Sequence, residues 1–217
     1  LAGKMADANA IENIRRQLGT DQPYPVQLWI FIQQILTFDF GNAWSTGEPV
    51  AQIITSRLGP SLTVLIPLTV LEVFFGIALA LGIAFVRGSL TDRAVMIACT
   101  VGMSISILVY ISVFQYVFAY QLGLFPVQGW GSSLGENLLH YALLPIIIGL
   151  AVSIAPTLRL YRSFVLDEVG QDYVRTARAK GLSERRIVWV HVLRNAAIPI
   201  ITHVMANLPA LLIGAFL

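Results

Sequence analysis

Charge is scarce in this sequence. Only 12% of its 217 residues are charged, against about 25% in an ordinary soluble domain. The mean hydropathy of +0.74 means that one soluble core cannot hide all the apolar side chains, so lipid must be the solvent for much of the surface. The net charge of +2 is too small to indicate a nucleic-acid partner.

Several other features are missing. The single cysteine, Cys99, lies in an apolar run, which excludes a disulfide framework or a cysteine metal site within the chain. Residues 1–20 carry charges and no sustained apolar core, so they are not a signal peptide. The phosphate-binding pattern GxxxxGK[ST] is absent, so we expect no ATP site of that kind. The histidines lack metal-ligand spacing, and we expect no metal site.

Long apolar stretches dominate what is present. Three of them, at about 59–86, 94–120 and 139–158, each provide the roughly 20 residues that a helix needs to cross a bilayer. A fourth covers 198–217. Helices are required because lipid offers no partners for unpaired backbone groups. The sequence therefore predicts an all-α membrane protein.

The distribution of lysine and arginine predicts the orientation of these spans. The loop at 87–93 holds two arginines, the loop at 121–138 holds neither arginine nor lysine, and residues 159–194 hold 8 of the chain's 14 basic residues. Basic loops face the cytoplasm. We therefore expect 87–93 and 159–197 to be cytoplasmic, and 1–58 and 121–138 to be external. Residues 159–197 are called the basic segment below.

The N-terminal part, residues 1–58, is soluble in character and is predicted to form an external helical segment. The run ANAIENIRRQLG reads as a short amphipathic helix, followed by a break over residues 19–25. A second helix should carry Trp29 and Phe31, and a Gly-rich turn should follow it in FDFGNAWSTGEPV.

The basic segment has the pattern of two helices joined by a tight turn. Apolar residues recur every three or four positions along one side of the first helix: Val165, Leu166, Val169, Tyr173, Val174 and Ala177. Gly181 should end that helix and Ser183 should cap the next, with Leu182 and Ile187 packing across the cap. Such a pair could lie on anionic lipid. The acidic residues interleaved with the basic ones favour a protein partner instead.

The run DYVRTARAKGLSERRIVWVHVLRNAAIPI resembles the cytoplasmic EAA loop of ABC-importer permeases, in the form of the dipeptide/oligopeptide/nickel branch. In that family the loop forms coupling helices that sit in a groove on the ATP-binding subunits. The resemblance implies a type I ABC-importer transmembrane domain. It assigns ATPase coupling to Asp172, Tyr173, Arg175, Thr176, Ala177, Ala179, Lys180, Gly181, His191, Leu193, Arg194 and Asn195.

Two positions depart from the general pattern of the superfamily. Arg175 stands where the wider superfamily has Glu, and Arg194 stands where it often has Pro. Both residues look normal for the peptide branch. The N-terminal runs QLGTDQPYPVQ and FDFGNAWSTGEPV resemble the external segment of the B-type permease of these importers.

The resemblance implies a multi-pass subunit of the bacterial inner membrane that translocates short peptides or a related small solute and is not itself an enzyme. Its implied partners are a second, C-type permease, two ATPase subunits that bind ATP and Mg²⁺, and an external solute-binding protein. No cofactor is expected in this chain. It also implies further transmembrane helices before Leu1 and after Leu217. Peptides, nickel chelates, glutathione and glycosides all remain open as the solute.

Glu72 lies near the midpoint of the first predicted span, where a charge is costly and often functional. It is a candidate for lining the solute path or for bonding to a neighbouring helix, and the alternative is a protonated Glu satisfied by a Ser or Thr. Small residues such as Ala78 and Gly82 suit close helix contacts in the same span.

Two other function classes fit the composition. A secondary transporter or channel should show internal repeats and paired ionisable groups in its spans, whereas Glu72 is nearly alone. An intramembrane hydrolase would need a nucleophile and a base at one depth. Ser104, Ser106 and Ser112 lack a histidine at a matching depth, so this interpretation is the weaker one.

Overall fold

The structure is a computed structural model that describes residues 22–43 and 46–213, with side chains as far as residue 209. The chain divides into two compact units, Leu1–Gly59 and Pro60–Leu217. The amphipathic helix predicted for ANAIENIRRQLG lies outside the described residues, and so do the last four positions of the fourth predicted span.

The first unit contains the second of its two predicted helices. Helix α1 (Tyr24–Leu36) begins directly after Pro23 and carries Trp29 and Phe31, as predicted. A proline just before or inside the first turn suits a helix start because the first backbone N–H groups have no helical partner. The Gly-rich turn follows, closed by a hydrogen bond of 2.8 Å from the Ala43 N–H to the Glu48 carbonyl.

Helices also account for nearly all of the remaining described structure, which supports the predicted fold class. In chain order they are α2 (Val50–Phe85), α3 (Leu90–Ser104), α4 (Ile107–Phe114), α5 (Leu134–Glu136), α6 (Leu143–Val169), α7 (Asp172–Ala179), α8 (Glu184–Arg186) and α9 (Leu193–Ile213). Stretches of π-helix continue α4, α5 and α8 over Gln115–Gln121, Asn137–Tyr141 and Ile187–Val192, respectively.

Three described helical stretches are long and apolar enough to cross a membrane. They are α2, α6 and the residues Glu184–Pro209, which join α8 to most of α9. Helices α3 and α4, with the π-helical continuation of α4, pass the same test only when they are taken together. The described part of the chain therefore supplies three or four candidate spans, against the four that the sequence predicts.

The second predicted span, 94–120, is not one continuous helix. The chain bends by 91° between α3 and α4. Ile105 and Ser106 adopt extended backbone conformations, and the Ser106 hydroxyl accepts a hydrogen bond from the Leu108 N–H and so begins a new helix. The Tyr110 hydroxyl donates to the Gly102 carbonyl across the bend, at 3.1 Å. The apolar pattern predicts one continuous helix here, but the cap at Ser106 starts a second helix instead.

Helices α2 and α6 approach each other closely at glycines. A Cβ atom built on Gly76 would lie 2.9 Å from the Thr157 methyl group and 3.0 Å from the Tyr161 ring. One built on Gly149 would lie 2.6 Å from a Leu68 methyl group. Gly82, which the sequence suggested for close contact, is exposed and has no such neighbour within 4 Å among the described residues. The contact lies at Gly76 instead.

We expect Gly76→Leu to lower the free energy of unfolding by about 1–3 kcal/mol, because the new side chain has no room between α2 and α6. Gly82→Leu is the matched control, since it makes the same change on the same helix at an exposed position. Thermal unfolding of the detergent-solubilised protein measures both. Equal shifts for the two variants would contradict the close contact at Gly76.

Candidate functional site

The residues to which the sequence assigns ATPase coupling divide into an inner and an outer set. Ala177 is buried, and Tyr173, His191, Leu193 and Asn195 are half-buried. The outer set is exposed and consists of Asp172, Arg175, Thr176, Ala179, Lys180, Gly181 and Arg194. The basic segment thus has a polar, exposed surface formed by the outer set, while the residues of the inner set are buried or half-buried beneath it.

The core beneath this surface continues into the long helices. One cluster of buried residues includes Leu81 of α2, Val165 of α6, Val174 of α7, Ile187 of the π-helical stretch and Ala196 of α9. Each of these five side chains is fully buried. Buried apolar side chains in protein cores pack as densely as crystals of small organic molecules. The short helices of the basic segment are therefore part of the main core and do not form a free arm.

The predicted glycine turn is present. Gly181 has a left-handed φ of +76°, which favours glycine because a Cβ atom is disfavoured there. Its N–H donates to the Arg178 carbonyl at 2.9 Å, and the Leu182 N–H donates to the Ala177 carbonyl at 3.3 Å. Ser183 lies at the predicted N-cap of α8, but its hydroxyl makes no capping hydrogen bond.

The helix that precedes this turn is interrupted, contrary to the prediction of one helix. Helix α6 ends at Val169, and α7 begins at Asp172. Gln171 between them is extended, with a ψ of 155°. Gly170 has a low helix propensity, which favours the end of α6 at this point. The break still leaves Val165 and Val174 in the same core cluster.

An ion pair closes the glycine turn from outside. The Arg178 Nε and Nη2 atoms donate to the two carboxylate oxygens of Glu184 at 2.7 and 3.1 Å. These hydrogen bonds raise the pKa of the Arg178 guanidinium above its ordinary value. Both side chains are about half exposed, so the pair adds little stability by itself. Its two parallel bonds fix the orientation of α7 relative to α8.

Tyr173 connects three elements of the basic segment. Its hydroxyl donates to Glu168 near the end of α6 at 2.7 Å. The Asn195 side chain, on the first turn of α9, interacts with the same hydroxyl. Burial raises the pKa of the Tyr173 phenol above its usual value, and the Glu168 carboxylate raises it further. Two residues of the predicted set, Tyr173 and Asn195, are thereby brought together.

A buried ion pair that the sequence did not predict joins the start of this segment to α3. The Arg162 Nε and Nη2 atoms on α6 donate to the Asp92 carboxylate oxygens on α3 at 2.9 and 2.8 Å. Only 7% of the Asp92 side chain and 21% of the Arg162 side chain are exposed. The carboxylate also accepts from the Gly88 N–H at 2.9 Å, and the Ser89 hydroxyl accepts from the Asp92 N–H at 3.2 Å. This arrangement fastens the start of α3 to α6.

One sequence signal pointed to half of this pair. Ser89 and Asp92 have the spacing of a capping box, in which an acidic residue three positions after the cap bonds back to the backbone. The partner, Arg162, lies 70 positions away, and nothing in the sequence connects the two. Long-range pairing of this kind depends on the fold.

Glu72 bonds to a neighbouring helix. The Thr157 hydroxyl of α6 donates to a carboxylate oxygen of Glu72, a contact compatible both with the predicted bond to a neighbouring helix and with the alternative of a protonated Glu satisfied by a Thr. The half-buried Glu72 side chain also lines a cavity of about 390 Å³, together with residues of α6 and α9.

Among the described residues, no three His, Cys, Asp or Glu side chains are grouped as metal ligands would be.

Comparison with known proteins identifies similar sequences. The family model described as "Binding-protein-dependent transport system inner membrane component" matches residues 72–217. The chain is 37% identical over 202 residues to the glutathione transport system permease protein GsiC of Salmonella choleraesuis (strain SC-B67), and the alignment covers 93% of this chain and 64% of that protein. Identity to the same protein of Escherichia coli (strain K12) is 38% with the same coverage. The chain thus spans less than two thirds of the length of these relatives.

We expect Asp92→Asn to lower the midpoint of thermal unfolding by roughly 5 °C or more, because it leaves the Arg162 guanidinium partly buried without its counter-charge. Asp172→Asn is the control, since it breaks the exposed pair with Arg175, in which 94% and 75% of the two side chains are exposed. That change should shift the midpoint by less than about 2 °C. Similar shifts for both variants would show that the buried pair does not fasten α3 to α6.

Proposed function

Because this chain belongs to the family of binding-protein-dependent transport system inner membrane components, we propose that it is the permease subunit of an ATP-driven importer. The observation that carries the proposal is the core shared by the basic segment and the long helices. One face of the segment is exposed, and its other face packs against the long helices. A displacement of the exposed face can therefore be passed on to those helices. A membrane-surface anchor has no need of that continuity.

The outer set of the basic segment is the proposed docking surface for the ATPase subunits. It carries both signs of charge, with Asp172 next to Arg175 and Lys180, and the exposed pair of Arg178 and Glu184 lies beside it in the same segment. Anionic lipid headgroups attract basic residues and repel acidic ones. The mixed surface is therefore better matched to a protein groove than to a lipid surface.

The remaining partners follow from this assignment. The proposed complex contains this B-type subunit, a C-type permease, two ATPase subunits that bind ATP and Mg²⁺, and an external solute-binding protein. In it, the basic segment faces the cytoplasm. ATP binding closes the ATPase subunits, moves the docked helices, and shifts the membrane helices between outward- and inward-facing packings. Hydrolysis takes place in the ATPase subunits and not in this chain.

A short peptide or a closely related compound is the proposed solute. The two relatives are named as glutathione transport system permease proteins, and glutathione is itself a tripeptide. Glu72 is the proposed contact of this chain with the solute path, since it lines a cavity among the long helices.

We expect Gly181→Val to reduce ATP-driven uptake about tenfold in the complete complex. A β-branched residue in the left-handed conformation is strained by roughly 1–2 kcal/mol, so the turn and the outer set beside it must rearrange. The measurement is peptide uptake into proteoliposomes, together with the ATPase activity of the same complex.

Gly170→Val is the matched control in the same segment. Gly170 has a φ of −76°, which any residue adopts, and a Cβ atom there would have its nearest neighbour at 3.6 Å. This variant should transport nearly as well as the unmodified protein. Full coupling of uptake to ATP hydrolysis in Gly181→Val would remove the basic segment from the mechanism.

A further inference from the structure

The cavity beside Glu72 is lined by both polar and apolar side chains. Its polar lining comes from α2, α6 and α9 and includes Thr69, Glu72, Thr157, His203 and Asn207. Ser153, Tyr161 and several leucine, valine and proline side chains complete the lining. A volume of about 390 Å³ is in the range of small-molecule sites, which are usually apolar with a few convergent polar groups.

Glu72 is the acidic side chain of this cavity. Of the described side chains around it, Glu72 is the only Asp, Glu, Lys or Arg. It lies within a helix that is long and apolar enough to cross a membrane. A carboxylate at such a depth is costly unless a positive charge or hydrogen-bond donors compensate it. The Thr157 hydroxyl supplies one donor but no charge.

The hydrogen-bond donors of the lining are largely used within the protein. The Thr69 hydroxyl donates to the Leu65 carbonyl at 2.8 Å, and the Thr157 hydroxyl donates to Glu72. The Asn207 amide nitrogen donates to the His203 carbonyl at 3.0 Å and lies 3.1 Å from the Nε2 atom of the same residue.

The polar side chains of the lining keep free hydrogen-bond acceptors that a ligand could use. Each threonine hydroxyl keeps lone pairs, the Asn207 carbonyl oxygen makes no hydrogen bond in the described structure, and Glu72 accepts only. The Ser153 hydroxyl, which is able both to donate and to accept, and the His203 Nδ1 atom are buried from solvent and have no partner in the described structure. The Tyr161 hydroxyl is able both to donate and to accept. The cavity therefore matches a ligand group that carries a positive charge and several donors.

We infer that this cavity binds the N-terminal ammonium group of a short peptide on its way through the membrane. An ammonium carries one positive charge and three N–H donors, and it has no acceptor. Glu72 supplies the counter-charge, while the oxygens of Thr69, Thr157 and Asn207 accept its hydrogen bonds. The apolar wall takes the first side chain of the peptide. The inference rests on the proposed function, because it assumes that this chain lines a peptide path.

The first test measures occupancy of the cavity without requiring transport. The complete complex in lipid nanodiscs is treated with an apolar carbodiimide, and labelling of Glu72 is quantified by mass spectrometry. Triglycine should slow the labelling at least about fivefold, whereas N-acetyltriglycine, which lacks the ammonium group, should leave it unchanged. Equal protection by both probes, or protection by neither, would overturn the inference.

Repeating this measurement on Gly181→Val separates the two proposals. That variant should lose coupled uptake and keep the protection by triglycine, because Gly181 lies in the basic segment and does not line the cavity. Loss of ATP-driven uptake in the unmodified complex, with protection intact, would count against the importer and not against the ammonium site.

The second test measures specificity in transport. Glu72→Gln should raise the KM for triglycine about tenfold, because it removes a charged hydrogen-bond partner of the ammonium group, and Glu72→Asp should recover most of the difference. Glu48→Gln makes the same chemical change at an exposed position in the first unit and should leave the KM unchanged. Co-purification with the ATPase subunits shows that each variant assembles.

A purely structural role for Glu72 predicts a different pattern. In that case Glu72 serves only to accept the hydrogen bond from Thr157, so Glu72→Gln, which keeps an oxygen acceptor, should transport triglycine with the original KM. The variant and the unmodified protein would also discriminate triglycine from N-acetyltriglycine to the same extent. Either result would overturn the inference.

Discussion

The structure depends on one apolar core that runs without a break from the long helices into the basic segment. Leu81, Val165, Val174, Ile187 and Ala196 come from five stretches of the chain and are all fully buried in it. Burial of each of the four larger side chains contributes about 1.5–3 kcal/mol, so separating the two parts would be costly. The exposed charges of the basic segment are thereby held on a rigid base, and in the proposed function it is this base that the ATPase subunits move.

Polar contacts fasten helix α6 to its neighbours in two different ways. The Asp92–Arg162 pair joins it to the start of α3 through two charged hydrogen bonds, and the Thr157–Glu72 bond joins it to α2. Both oxygens of the Asp92 carboxylate accept hydrogen bonds in the first pair, with the Gly88 N–H as a further donor. The second leaves a carboxylate beside an open cavity. The Asp92–Arg162 pair therefore serves to stabilise the fold, whereas Glu72 is still able to accept hydrogen bonds from a ligand.

Local patterns in the sequence predicted the local features well. The glycine turn at Gly181, the N-cap position of Ser183 and the all-helical membrane class are confirmed. The sequence analysis missed the bend at Ile105 because the apolar run 94–120 has no proline or glycine at that position. The two neighbouring serines, Ser104 and Ser106, are by themselves only a weak signal that a helix ends. The Asp92–Arg162 and Glu72–Thr157 contacts span 70 and 85 positions, and only the folded topology brings such residues together. The docking role of the outer set stays a prediction.

The contact at Gly76 restricts which helices are able to move. With the Thr157 methyl group and the Tyr161 ring this close to its backbone, the position of Gly76 leaves no room for a larger side chain between α2 and α6. Packed interfaces of this kind switch between discrete arrangements and do not deform continuously. Any displacement of α2 along α6 would therefore have to pass from one defined packing at Gly76 to another, and a gradual drift is excluded at this point.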